Sequence, residues 1–210
     1  MVSRDALRSL EAMGLVDIRQ GARGGVRVAH GNPLRFADAL AIQLKLIGVT
    51  EVEALDAQTA LEATAAELAA NRAGPPDHDR LRRLIAESER LVDDPDAFSR
   101  SAMAFHAAIA DASQNRALAA QLSALHQVMR PIHGKRTDRG RAERVVAAHR
   151  EVLARIEAGD APAARQSMCG HLEGVRALAS AHAAATPSAP IDGSPRTKSR
   201  TRPMRTQRRR

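Results

Sequence analysis

The chain has 210 residues, of which 44% are hydrophobic and only three, Phe36, Phe98 and Phe105, are aromatic. The core is therefore aliphatic, and 43 alanines favour closely packed helices over sheets, which excludes an all-β enzyme. The net charge of +8 suggests a nucleic-acid partner, while a single cysteine, Cys169, excludes an intramolecular disulfide framework and fits a reducing cytoplasm.

Residues 3–13 place Ala6, Leu7, Leu10 and Met13 on one helical face, with Gly14 as the stop. Two alternating β-prone runs follow, 15–20 and 26–29, separated by the turn-forming Gly21-Ala-Arg-Gly-Gly25, and these predict a β-hairpin. Gly31-Asn-Pro33 breaks the chain. From about residue 35 to 185 the apolar positions repeat at helical spacing, and the breaks at Gly48, Gly74-Pro-Pro76, Asp93-Asp-Pro95, Ser113-Gln-Asn115, Gly134 to Gly140 and Gly159-Asp160 divide them. The expected helices are 34–47, 50–72, 77–92, 95–112, 115–131, 139–158 and 161–184, buried against one another as an antiparallel bundle. No stretch approaches the roughly 18 apolar residues of a membrane span and no signal peptide opens the chain, so a soluble, cytoplasmic protein is expected.

The charge is concentrated at the end. Residues 186–210 carry eight basic side chains against Asp192, leaving residues 1–185 at +1. Pro187, Pro190, Pro195 and Pro203, set among Ser, Thr and Gly, give this basic tail nothing to bury, and it reads as disordered, with non-specific, salt-sensitive attraction to phosphates as its expected property. The three expected units are thus a helix and hairpin over 1–30, an all-α unit over 31–185, and the tail.

A helix followed at once by a glycine-tipped hairpin is half of a winged helix-turn-helix, in which one helix enters the major groove and the wing touches the neighbouring backbone. Arg4 and Arg8 share one face of the first helix, while Gln20, Arg23 and Arg27 decorate the hairpin and its tip. The run VSRDALRSLEAMGLVDIRQG, from Val2 to Gly21, closely resembles the recognition helix and wing of the GntR family of bacterial transcription regulators. The later segments FHAAIADASQN (Phe105 to Asn115), Ala148-His149, AGDAPAA (Ala158 to Ala164) and His171-Leu172 resemble the FadR-type ligand-binding domain of the same family. The resemblance implies a mainly all-α dimer in which a DNA-binding head is joined to a helical domain that senses a small metabolite, typically a carboxylate. It places Arg4 on operator DNA and Gln20-Gly21 at the wing contact. The family's head carries two further helices ahead of the matched run, whereas this sequence opens inside the motif. Its 30-residue portion is smaller than domains that usually fold unaided.

His106, His149 and His171 fall on three different expected helices, each near an inward apolar stripe. Three such imidazoles can bind Zn, Ni or a similar divalent ion and leave positions open for a ligand, although core or surface histidines are the commoner use of the residue. In the resemblance these positions are metal ligands, joined by an Asp four residues before the first His; here that position is Ala102, which implies weaker metal binding. Likewise Gln58 stands at an effector-binding position where the family often has Arg, four residues before Glu62, so the expectation is an altered pocket that binds metal weakly or binds its ligand without metal. His126 and Arg130, one turn apart, are replacement donors for an effector, against the plainer reading of an interfacial His and a solvated Arg. Cys169 lies about 200° around the helix from His171 and does not share its site.

The expected function is a DNA-binding regulator, most simply a repressor, whose helical domain binds a small organic acid and alters the placement of two heads in a dimer. The alternative is a ligand-binding dimerisation module that has lost sequence-specific DNA binding. A metalloenzyme ranks third, because neither a His-Glu-x-x-His helix nor a nucleophile with a recognisable His partner is present.

Overall fold

A computed structural model describes residues 2–21, 24–30, 33–133 and 138–185. The expected Arg23 contact and the tail at 186–210 lie outside the described residues, as does the side chain of Arg130. Ten elements occur in the order α1 (Val2–Ala12), β1 (Val16–Arg19), β2 (Gly25–Val28), α2 (Pro33–Leu46), α3 (Glu51–Arg72), α4 (Pro75–Arg90), α5 (Pro95–Ala112), α6 (Arg116–His133), α7 (Arg139–Glu157) and α8 (Ala161–Ala185). None of the described helices is long and apolar enough to cross a membrane.

The hairpin is antiparallel, with Val16 opposite Val28 and Ile18 opposite Val26. Two glycines are required by geometry here. A Cβ at Gly24 would stand 2.2 Å from the Arg19 carbonyl oxygen. Gly14, at φ 73°, ends α1 where a Cβ would also meet the Arg35 side chain at 2.8 Å. That arginine donates to the carbonyls of Glu11 and Ala12, satisfying the open C-terminus of α1.

Each bundle helix begins where the sequence offers a cap. Thr50 and Glu53 form a reciprocal capping box on α3, Asp94 accepts from the Ala97 N–H with Pro95 at the first turn of α5, and Asp138 accepts from the Arg141 N–H on α7. At the far end of α3, Arg72 donates to the Ser113 carbonyl (2.9 Å) while Gln114 donates back to the Arg72 carbonyl (2.8 Å), which clamps the α5–α6 turn onto α3. Gln114 adopts φ 52° to do so.

The inner face of α3 is mostly alanine: Ala54, Ala63, Ala65, Ala66 and Ala69 are buried. Small side chains let α8 lie close along α3, the most extensive helix pairing in the molecule. Around them Leu81, Ile85, Phe105, Ile109, Leu122, Ile156, Met168 and Leu172 close one aliphatic core. All four helices that deliver the site, α3, α5, α7 and α8, contribute side chains to this core, and α7 packs on the other three.

Candidate metal and effector centre

The spacing of buried positions on α3, at Leu55, Gln58, Glu62, Ala66 and Ala69, turns two polar side chains into the core. Burying a carboxylate is costly unless it is paired, and Glu62 is surrounded by partners. Its Oε2 touches His106 Nδ1, and its Oε1 lies 2.8 Å from His126 Nε2 and accepts from Gln58 Nε2 at 2.8 Å. Burial alone would raise the Glu62 pKa; the His106 and His126 rings reverse that and hold it well below the usual carboxylate range. An ionised Glu62 makes His106 the donor through Nδ1–H, which leaves the Nε2 lone pair pointing away from the carboxylate.

That nitrogen faces two others. His149 Nε2, from α7, stands 3.2 Å from it and His171 Nε2, from α8, stands 3.3 Å from it. The ligating atoms of the three rings all lie within 4.8 Å of one another. His149 is fully buried and stacks on Phe105, with ring centroids 4.2 Å apart and planes 18° from parallel. Burial, reinforced by repulsion from His106 and His171, sets its pKa well below the ordinary value of 6.5, so it is a neutral ring with a lone pair at neutral pH. Three imidazoles converging from separate helices, one oriented from behind by a carboxylate, match the donor set and outer-shell support of a divalent-metal site with open positions. Among the described residues no carboxylate joins the cluster itself.

The space beside the rings is small, about 50 Å³, and its walls include Gln58, Ser99, Ala102, His106, Arg141 and His171. Ala102 thus stands one turn before His106 on the cavity wall with no atom to offer a cation. His126 shares Glu62 with His106 but faces a different space, a groove of about 580 Å³ between α5 and α6 lined by Met103, Ala107, Ala120, Leu122 and Ser123. Gln58 and the three histidines are therefore brought together, and His126 approaches from the opposite side of the carboxylate. On the head, Arg4 and Arg8 are exposed on α1, and Gln20 and Gly21 are exposed beyond β1.

Sequence reasoning missed Glu62, Ser99 and Arg141 as site residues, although their spacing carried a signal. Glu62 follows Gln58 by four in an alanine-rich inward stripe, Ser99 precedes His106 by seven, and Arg141, Val145 and His149 repeat at intervals of four.

The family model for the FCD domain matches residues 53–174, more than half of the chain, and takes in Gln58, Glu62 and the three histidines. The chain belongs to the GntR family of transcription regulators. Its relatives in this family include HTH-type transcriptional regulator LutR of Bacillus subtilis (strain 168), 28% identical over 188 residues that make up 85% of this chain and 84% of LutR. The Uxu operon transcriptional regulator of Escherichia coli (strain K12) is 30% identical over 183 residues, covering 83% of this chain and 70% of the relative. Among solved structures, Streptococcus agalactiae GntR superposes with a TM-score of 0.59 at 25% identity, over 82% of this chain and 79% of that one. Its mainly helical fold with one two-stranded hairpin fits the winged helix-turn-helix plus helical bundle of GntR regulators, which carry an effector-binding FCD domain.

Proposed function

We propose that this GntR regulator is a homodimeric repressor in the cytoplasm whose FCD domain, residues 31–185, binds a divalent metal, Zn or Ni, on His106, His149 and His171 and a small organic acid beside it. The observation that carries this reading is the convergence of three Nε2 atoms with Glu62 fixing the orientation of His106. A metal there supplies an electrophilic anchor for a carboxylate oxygen. Gln58 and Arg141 line the space the acid would occupy, and Glu62 keeps His106 in the tautomer that ligates. Arg4 and Arg8 on α1, with Gln20, Gly21 and Arg23 at the wing, are the proposed operator contacts. Effector binding in the bundle biases the separation of two heads, so that half-sites on DNA fit or fail to fit.

The test is selection of bound sequences from a random duplex library at about 150 mM salt, where non-specific phosphate binding is weakened, with the metal-loaded chain and with His106→Ala/His149→Ala. An enriched palindrome whose affinity responds to organic acids in the first protein and not in the second supports the reading. No enrichment, together with acid binding that persists, supports instead a ligand-binding dimerisation module without operator recognition. That second reading draws on one observation: Met13, Leu15 and Val28 of the head are 68%, 55% and 85% exposed.

A further inference from the structure

Helix α2 is apolar on two sides and uses one of them. Ala37 and Ala41 are buried and, with the half-buried Leu40 and Leu44, form the side that lies against α6, which is the one element α2 packs on among the described residues. Ala39, Ile42 and Leu46 follow one another at intervals of three and four, so they make a second stripe on the opposite side of the helix. All three are exposed, Ile42 by 57% and Leu46 by 72%, and Phe36 in the first turn is exposed as well. Single apolar residues on a surface need no explanation, but a contiguous stripe of them marks an interaction site.

Charge narrows what covers that stripe. Asp38 and Lys45 stand seven residues apart, so they share one flank of the stripe, two turns from each other and opposite in sign. Neither makes an ion pair among the described residues. A second copy of α2, laid antiparallel about a two-fold axis at Ile42, sets Asp38 of each helix opposite Lys45 of the other. The same axis sets Ala39 of each opposite Leu46 of the other, a small side chain facing a large one. A parallel arrangement would instead set Asp38 against Asp38 and Lys45 against Lys45, like charge against like. The basic run at 186–210 matches the stripe poorly, since Ile191 and Met204 are its only large aliphatic side chains and eight of its residues are cations.

We propose that the outer side of α2 is a self-pairing face, on which two copies of this chain associate through antiparallel α2 helices with their two-fold axis beside Ile42. The proposal rests on the homodimer reading given above and adds the face and the orientation. α2 begins five residues after β2, so an axis at its midpoint relates the two heads as well, and two operator half-sites would share that symmetry. α2 has 14 residues, and two such helices bury less than the roughly 1,200 Å² at which stable interfaces begin, so the pairing belongs to the readily reversible class.

The experiment is sedimentation equilibrium of the full chain over about 1–100 μM, which reads the dimer affinity, with the helical circular-dichroism signal confirming that each variant is folded. Asp38→Lys and Lys45→Asp each bring like charges together twice, once on either side of the axis, and each is expected to weaken the dimer on the order of tenfold. The double exchange Asp38→Lys/Lys45→Asp restores both pairs and with them the wild-type affinity, and an equimolar mixture of the two single variants is expected to associate preferentially as mixed pairs. Ile42→Glu sets two carboxylates together at the axis and is expected to weaken the dimer by about 30-fold or more. Wild-type affinity in all four variants overturns α2 as the face and leaves the homodimer reading standing. Weakening by Ile42→Glu alone, or a loss in the single charge variants that the double exchange does not recover, overturns the antiparallel pairing. A wild-type chain that stays monomeric throughout overturns both readings. Should Ile42→Glu not fold, the charge exchange decides alone.

Discussion

The two ends of the described chain use their apolar residues in opposite ways. Among the described residues nine large hydrophobic side chains are exposed, and all nine fall between Leu10 and Ile47, on α1, the hairpin and α2 or just beyond these elements. Beyond Val49 the large aliphatic residues Leu55, Leu81, Ile109, Leu122, Ile156, Met168 and Leu172 are each 5% exposed or less. α1 and the hairpin pack on each other, whereas α3 to α8 form one connected set of packed helices, to which α2 is joined through α6. The contrast teaches where precision resides in this molecule. Holding three imidazole nitrogens within 4.8 Å of one another needs rotamers locked by dense packing, which the bundle supplies. The head supplies a scaffold for exposed arginines instead.

Substitutions at the centre of the bundle sharpen this contrast most. Phe105 is fully buried and carries the stacked ring of His149, so Phe105→Ala is expected to cost about 3–5 kcal/mol in chemical unfolding. It should also loosen metal binding, because His149 loses the surface that fixes its plane. A loss below about 1 kcal/mol would mean that the core is less tightly packed than the structure describes. Glu62→Gln ranks next. It removes the ionised acceptor behind His106, and a chelator competition should show metal affinity falling by about 10–100-fold while the three ligating rings remain. Unchanged affinity would remove Glu62 from the positioning role assigned to it.

A smaller effect is expected at the boundary between the two regions. Thr50→Ala removes the side-chain acceptor from the Glu53 N–H and breaks the capping box at the start of α3, at an expected cost of about 1 kcal/mol in the unfolding midpoint. No change would indicate that tertiary packing alone fixes where α3 begins.

Helix existence was legible in the sequence almost throughout, because periodicity and punctuation agreed. The bundle helices begin and end within two residues of their expected limits, and α5 spans 95–112 as read, since Asp94-Pro95 and the Ser113-Gln-Asn115 turn mark both ends. The convergence of His106, His149 and His171 was legible through the resemblance, whereas their placement on inward stripes alone fits ordinary core histidines as well. Glu62 as their support was not legible. A carboxylate on an apolar face looks like a mistake of period until its partners on α5 and α6, 44 and 64 residues away, are placed against it. Local spacing marks such a residue only as inward-facing and does not name its distant partner, and the same holds for the cavity shared by Gln58, Ser99 and Arg141, which draws on four helices.

The smallest expected effect tests the other half of the comparison. Met13 closes the apolar face of α1 in sequence, yet its side chain is 68% exposed and precedes the Gly14 turn held by Arg35. Surface substitutions away from cores and caps usually change stability by no more than about 0.5 kcal/mol. Met13→Ser should therefore leave the unfolding midpoint of the full chain within that range, while adding a hydroxyl where solvent already reaches. A measured loss above about 1 kcal/mol, the scale of a buried methylene or more, would show that the face formed by Leu10, Met13 and Leu15 is covered in solution. The head would then stand beside the bundle as a packed structure, and the contrast between the two regions would belong to the isolated chain alone.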